Sequence, residues 1–431
     1  MELPALMFNP KTKKPIIVLK GLNRKDLISD DELSSCRNIS FSLHSPLISH
    51  RPPRETMNTL SSPQALFSVG DNLAWVDGTD FVYNGTVKGS VTADAKSMVN
   101  FNGKILIFPD KKYYDYGSDT FGTITDTGPD HAVPDIDYVC QHMNRVFGVK
   151  GNTVYSSAWG KYNDWSTKAG VSTDSWAKDL ASEGGNIVGI VSYQNHPVIF
   201  KEELMYEVYN NKPDFVTQPV FKIGALSSGA MLEANKVLYF VDKGGVYSYR
   251  GGEPFLVSDK LNEIYSDAVL GTDGRLLYVS LYNGMGWNLY IYDTLEGKWW
   301  QEDDLQVIQF TKIDGYAHAL SADGKLCKLN SGTELFDWEI ETNEMTDELF
   351  KNKDNRRIYV SLNLSSGSIA NIYVKYDNGG YVLVKSISRP GLWNTEIPLK
   401  PKMARNFQVK ITGEGEFRFH GFQRDIATNS K

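Results

Sequence analysis

The feature that most constrains this chain is a turn that keeps returning. Asp71-Asn72, Asn102-Gly103, Met143-Asn144, Gln194-Asn195, Ala234-Asn235, Asp273-Gly274 and Asp314-Gly315 each open a hairpin in which apolar and polar residues alternate. Alternation with a period of two turns one face of every strand toward a core, and Asn, Asp and Gly tolerate the left-handed backbone of a tight hairpin. Between residues 72, 102, 144, 195, 235, 273 and 314 the spacings are 30, 42, 51, 40, 38 and 41 residues. A repeat of about 40 residues is the period of a propeller blade. A single blade cannot bury both faces of its small sheet, and radial stacking solves that while leaving only short edges open. Further strands follow the turns, as in Lys104 to Phe108 then Tyr113 to Tyr116, or Val237 to Val241 then Gly245 to Tyr249. The clearest set is Leu276 to Leu281, Asn288 to Asp293 and Trp299-Trp300. An array of sandwiches would alternate as loosely, but the spacing favours a β-propeller over residues 61–335. Seven blades are expected, or six if the first or last hairpin pairs elsewhere.

The composition agrees with an all-β chain: 23 Tyr, 20 Phe, 9 Trp and 37 Gly in 431 residues suit many short strands joined by tight turns. No apolar run approaches the roughly 20 residues that cross a bilayer. Lys11, Lys13 and Lys14 follow the apolar stretch Leu3 to Phe8, the reverse of a secretion signal, so a soluble protein is expected. The balance of 45 basic and 52 acidic residues, net −7, speaks against a protein whose main work is neutralising phosphates. Cys36, Cys140 and Cys327 are isolated and odd in number, which supports neither a disulfide framework nor a zinc site.

Both flanks of the repeat read differently. Residues 1–60 form an extended arm with a strand at Ile16 to Leu19. Ser29 and Glu32 have the spacing of a capping box, which predicts a short helix to about Cys36. Asn38 to Leu43 alternates like a strand, and His50-Arg51-Pro52-Pro53-Arg54 then halts regular structure because proline fixes φ and restricts its neighbour. Residues 336–431 are expected to form a β-sandwich, with strands at Ile358 to Leu364, Ile369 to Tyr376, Tyr381 to Ser386, Asn406 to Thr412 and Glu416 to Phe422.

Enzymatic apparatus is not found in the sequence. Ser321-Ala322-Asp323-Gly324 approaches a sialidase box but lacks its spacing and its Trp, and the seven His form no metal-binding pair. Acidic neighbours such as Asp135 with Asp137, Glu202-Glu203 and Asp303-Asp304 read as solvated loops, and no nucleophile-elbow, phosphate-loop or dinucleotide motif is present. No catalytic residue, metal or cofactor is assigned, and the chain is expected not to be an enzyme. Aromatics crowd the stretch from Tyr113 to Trp176, where Trp159 and Trp165 are candidates for exposed contact with a partner or a sugar, packing being the other reading.

Three pieces together resemble a known group. Gly21-Leu22-Asn23, then Asp30-Asp31-Glu32-Leu33 and Arg37-Asn38-Ile39, precede a loose propeller. The far end carries Ile340-Glu341-Thr342, Ile397-Pro398-Leu399-Lys400-Pro401-Lys402, Asn406-Phe407-Gln408 and Gly413-Glu414-Gly415. This resembles the virion proteins of tailed bacteriophages that serve as tail hub, tail nozzle or stabilisation (head-tail adaptor) components. One departure is Arg51-Pro52-Pro53-Arg54, where the group commonly has a basic residue and glycine. The resemblance implies a structural protein, made in the host cytoplasm and built into the virion tail. It implies a homo-oligomeric ring, of six copies in the group, that meets neighbouring tail or connector proteins and lets genomic DNA pass. Arg37, Arg51 and Arg54 are the expected arm contacts with partners. The alternatives are a propeller that binds a host surface glycan and, more remotely, a glycosidase.

Overall fold

The structure, a computed structural model, describes residues 11–41, 48–128, 132–165, 173–209, 215–347 and 352–428. Regular structure there is almost wholly β; the helical turns are two of three residues, Ser228–Ala230 and Asp259–Leu261. No helix among the described residues is long and apolar enough to cross a membrane.

Seven four-stranded antiparallel sheets succeed one another along the chain, consistent with a β-propeller. Sheet one is Pro63–Val69, Asn72–Asp77, Asp80–Tyr83 and Thr86–Ser90; sheet two is Ser97–Phe101, Lys104–Phe108, Lys112–Asp115 and Thr120–Thr123. Sheet three is Tyr138–His142, Arg145–Lys150, Thr153–Ser156 and Trp176–Asp179; sheet four is Ile187–Tyr193, His196–Lys201, Met205–Tyr209 and Val216–Phe221. Sheet five is Met231–Ala234, Val237–Asp242, Gly245–Tyr249 and Phe255–Leu256; sheet six is Asp267–Thr272, Leu276–Tyr282, Trp287–Asp293 and Lys298–Asp303. Sheet seven takes Val307–Ile313, Tyr316–Ser321 and Lys325–Lys328 and completes itself with Glu55–Thr59 from before sheet one.

Each recurring turn joins the first strand of a sheet to its second. Phe101 pairs with Lys104 and His142 with Arg145, leaving two-residue connections. Asn102 and Gly103 take φ 48° and 81°, the left-handed pair that matches the twist of a two-residue hairpin. The connecting pair shifts by one residue in sheet one, to Gly70-Asp71, and in sheet five, to Asn235-Lys236. The run Lys104 to Phe108 shows why strands here read as nearly continuous apolar segments. Ile105 and Ile107 pack toward sheet one, with Ala74, Val76 and Phe81, while Leu106 and Phe108 pack toward sheet three, with Val139 and Val146. Both faces of the sheet are therefore buried. Leu66 and Trp75 of sheet one likewise pack on Ile313 and Leu320 of sheet seven.

Two larger antiparallel sheets complete the molecule. One has the order Leu33–Arg37, Asp337–Thr342, Phe407–Glu414, Ile369–Tyr376, Val382–Ile387. The other runs Ile39–Phe41, Ile48–His50, Phe417–Thr428, Lys353–Leu364, Gly391–Pro398, with Lys11–Ile16 also on Phe417–Thr428 and Met403–Ala404 on Lys353–Leu364. Alternate residues Ile358, Val360, Leu362 and Leu364 share one core with Ile340, Ile372, Val374, Val409 and Ile411, and Trp338 stacks on Phe417 across the two sheets at 3.7 Å. That core continues into sheets five, six and seven.

The described part of the first 60 residues is not a free arm. Residues 11–16 pair with 422–427, residues 33–37 form one edge of the five-stranded sheet, and residues 55–59 are the fourth strand of sheet seven. The physical reason is the edge: a strand such as Lys325–Lys328 carries unpaired N–H and C=O groups on its outer side, and the leading segment satisfies them. A boundary at residue 60 thus divides no independent units.

The helix expected after Ser29 is replaced by a turn and a strand. Ser29 N–H does donate to the Glu32 carboxylate at 3.0 Å, but that carboxylate also receives Asn23 Nδ2 at 2.9 Å and Lys260 at 2.9 Å, and Leu33 onward pairs with 339–342. The strand expected over 16–19 instead ends at Ile16, leaving Ile17 and Val18 exposed. That expected over 38–43 covers 39–41; residues 42 and 43 lie outside the described residues. The five strands expected in residues 336–431 all form, and the first of them begins earlier, at Lys353.

Leu60 N–H donates to Gly324 O at 2.8 Å where the leading strand joins sheet seven, and Gly324 has φ +89° with Leu60 O only 2.2 Å from where a Cβ would stand. Gly324→Ala should lower stability by about 2 kcal/mol or more, combining the left-handed penalty with a backbone clash. Urea unfolding of the two proteins measures it.

Candidate functional site

The strand Lys298–Asp303 at the outer edge of sheet six is where the leading segment meets the body. Leu22 N–H donates to Trp299 O at 2.7 Å and Asn38 N–H to Glu302 O at 2.6 Å, so the edge is covered rather than open. Gly21 makes the approach feasible: with φ +97°, a Cβ there would lie 2.7 Å from Trp299 O. Leu22 and Leu33 are fully buried, and Phe41 packs on Trp300 with ring centres 5.6 Å apart.

The three expected contact arginines are gathered at this seam. Arg54 spans two adjacent carboxylates, donating from Nη1 to Asp303 at 2.6 Å and from Nη2 to Glu302 at 2.7 Å. Burial works against its charge, but the two carboxylates outweigh burial and hold the guanidinium protonated. Arg51 donates from Nε to Asn38 Oδ1 at 2.8 Å and from Nη1 to Pro52 O at 3.0 Å. It lies over the Phe336 ring at 3.9 Å, with Nη2 3.8 Å from Asp303. Pro52 and Pro53 stiffen the short path between the two arginines. Arg51 is buried and Arg54 nearly so, and both guanidinium groups are spent inside the chain, which corrects their assignment as contacts for a partner. Arg37 is half exposed, pairs with Asp304 at 3.1 Å, and remains reachable from outside.

A second charged knot was missed. Arg424 is buried and binds Asp347 with both terminal nitrogens, at 2.8 and 2.7 Å, with Asp30 at 3.3 Å. Lys14 reaches the same Asp347 at 2.7 Å, so residues from both ends of the chain meet on one carboxylate. One signal was available: the local spacing of Phe422, Arg424 and Ile426 puts Arg424 in phase with two apolar residues on the inward face, where a charge demands a partner.

The two tryptophans separate. Trp159 is 45% exposed and lies beside Met143, His142 and Asn195 around a small cavity. Trp165 is only 5% exposed; its indole N–H donates to Tyr162 O at 2.9 Å and its ring packs with Phe108 and Ile136. Trp165 as an exposed contact is thereby corrected: the core between sheets two and three takes its large apolar ring.

A cavity of ≈ 610 Å³ lies among sheets four, five and six and is lined by Glu183, Glu202, Glu203 and Asp242 with Lys222 and Lys243. A second, ≈ 480 Å³, is lined by Gln64, Ser97, Tyr138, Ile190, Ser228 and Gln309, drawn from the first strands of several sheets or the loops before them. Its lining is mainly neutral; of its two charged residues, Asp137 and Lys96, the buried Lys96 is bound to Asp110 at 2.6 Å and to Thr92 Oγ1 at 2.7 Å. Among the described residues no group of three His, Cys, Asp or Glu side chains is placed to hold a metal. All three cysteines are free thiols, and burial pushes those of Cys36 and Cys140 up to about 12.

No family model and no curated protein matches this chain. Among solved structures it is similar to the extracellular domain of a candidate one-component system from B. thetaiotaomicron, at 12% identity and TM-score 0.45. The match covers 78% of this chain, which spans 46% of that domain's length. It is also similar to an exo-beta-1,3-galactanase from Phanerochaete chrysosporium (8% identity, 78% of this chain and 96% of that one, TM-score 0.25) and to AztD from Citrobacter koseri (14%, 62% and 80%, TM-score 0.32). With TM-scores below 0.5, none of these likenesses bears on what this chain does.

Arg54→Ala should cost about 3–5 kcal/mol, because it strands two buried carboxylates, whereas Arg37→Ala, at an exposed pair, should cost less than about 1 kcal/mol. Chemical denaturation distinguishes the two. At Asp347, burial pushes the carboxyl up, but Arg424 and Lys14 prevail and hold it below its ordinary value. Its contribution is therefore present above about pH 3.9 and lost as pH falls through the depressed value. Asp347→Asn should flatten the acid limb of a stability-against-pH curve.

Proposed function

We propose that this chain is a structural protein of a tailed-phage virion, in which copies form a ring of the tail, as hub, nozzle or adaptor, around the path of the DNA. In this reading the seven small sheets are the blades of one seven-bladed propeller. Glu55–Thr59 closes the wheel by completing the seventh blade, and the two larger sheets form a β-sandwich beside it.

The observation that carries the reading is where the resemblance residues lie. Gly21-Leu22-Asn23, Glu32-Leu33 and Arg37-Asn38-Ile39 gather at the seam that joins the small sheets to the larger ones. Gly21 permits close approach to Trp299, Asn23 binds Glu32, and Asn38 Nδ2 donates to Asp337 O at 2.6 Å. These residues have architectural work, and none lines a cavity suited to chemistry. The first and last described strands, Lys11–Ile16 and Phe417–Thr428, pair with each other, and the latter also with Lys353–Leu364, so a pull on either is resisted by several hydrogen bonds in shear, as a component under load requires. A net charge of −7 suits a lumen that must not grip DNA. No enzymatic step is assigned.

Glycan binding is the second reading, favoured by one observation: Trp159 is exposed on the loop after Thr153–Ser156. Negative-stain images and mass photometry of the purified full chain, alone and with tail components, test the first reading. Closed rings, or incorporation into tails, are expected. A protein that remains monomeric in both settings, while binding a glycan array in a manner abolished by Trp159→Ala, would replace the first reading with the second.

A further inference from the structure

A head-to-tail ring needs two different surfaces on each copy, one fitted to the other. The first stands on the loops beside sheet six. Met285, Leu27 and Ile264 are the most exposed large apolar side chains among the described residues, at 91, 89 and 75%. They come from three separate loops, yet Glu263 ties those loops together. Arg24 pairs with Glu263 and donates to Gln301 at 2.7 Å, Asn283 Nδ2 donates to Glu263 at 3.5 Å, and Lys25 pairs with Asp259. The three apolar groups therefore project from a braced platform, and exposed apolar clusters on ordered structure mark interaction sites. Asp26, beside Leu27, is exposed and makes no ion pair among the described residues.

The second surface is at the far side of the five-stranded sheet. Its strand Leu33–Arg37 follows directly from the platform, and its last strand, Val382–Ile387, lies four strand steps away, roughly 19 Å at about 4.8 Å each. Among the described residues Val382–Ile387 has no partner on its outer side, and Gly391–Pro398, which follows it, is likewise an outer strand of the other large sheet. These open edges expose Val382, Leu383 and Leu392. Lys385 and Arg389 stand among them and make no ion pair among the described residues. A lone lysine is a common guard on a strand edge. A guard does not account for three exposed apolar neighbours.

We propose that the 382–392 edge of one copy seats on the Leu27, Ile264 and Met285 platform of the next, with Lys385 and Arg389 facing Asp26. The proposal deepens the ring reading and rests on it. A second copy is the occupant because the two surfaces match: each is apolar, one bears unpaired bases and the other an unpaired acid, and they lie at opposite sides of the same sheet. Repeating a contact between two such faces carries the assembly onward from copy to copy until it closes.

The test uses full-length Met285→Asp and Leu383→Asp proteins, both changed at exposed positions. Each alone should lose the ring in mass photometry. Mixed, they should form one-to-one heterodimers and nothing larger, since each brings one intact face. Rings persisting in either variant, or a mixture without heterodimers, would overturn the assignment of faces while wild-type rings left the ring reading standing; a monomeric wild type would overturn both. Charge reversal decides it again without touching apolar contacts. Asp26→Lys and Lys385→Glu should each weaken assembly at least tenfold, and the pair together should restore it; unchanged assembly in the single variants overturns the proposal.

Discussion

The structure depends on how its strand edges are satisfied. A row of unpaired N–H and C=O groups is costly if buried and adhesive if exposed, and seven small sheets offer many such rows. At sheets six and seven the leading 60 residues answer this twice, first along Trp299 to Glu302 and then along Lys325–Lys328. Because the chain must reach both places before sheet one begins, its beginning and its last third are bound to the same side of the molecule. The continuous core from sheet five into the larger sheets follows from that meeting.

Charge is used at the seam in a way that matches this role. The charged side chains of Arg54 with Glu302 and Asp303, and of Arg424 with Asp347, are largely covered and joined by directional hydrogen bonds. Such pairs add little net stability over a well-packed apolar contact, but they penalise any other register severely, since a slipped strand would leave a charge alone in the interior. Arg37 with Asp304, exposed to water, imposes no such condition. The geometry thus separates arginines that fix the fold from one that a neighbour could still use.

The repeating turns were legible because a two-residue hairpin makes a local demand. Asn102 and Gly103 must both adopt positive φ, and few residue types do so cheaply. The strand from Ile105 to Phe108 was legible as an unbroken apolar run, because both of its faces are buried. The short helix is not formed because the Ser29 to Glu32 spacing is satisfied equally by one turn, and the decision falls to Asn23, outside that spacing, and to Lys260 and the partner strand 337–342, both distant in sequence. Trp165 differs from expectation for a related reason: a tryptophan among Gly, Asn and Ser looks exposed until the sheet that covers it is known.

From its own residues the chain determined its class, the positions of its tight turns and the strands between them, since these answer to backbone sterics and to a period of two within a few residues. Tertiary structure alone decided that the leading segment is woven in, that Arg51 and Arg54 are consumed at a seam, and that Arg424 shares Asp347 with Lys14. Those outcomes depend on pairings between residues up to about 400 positions apart, and hydrogen-bonded edges are alike in sequence wherever they lie, so nothing local could have selected the partner.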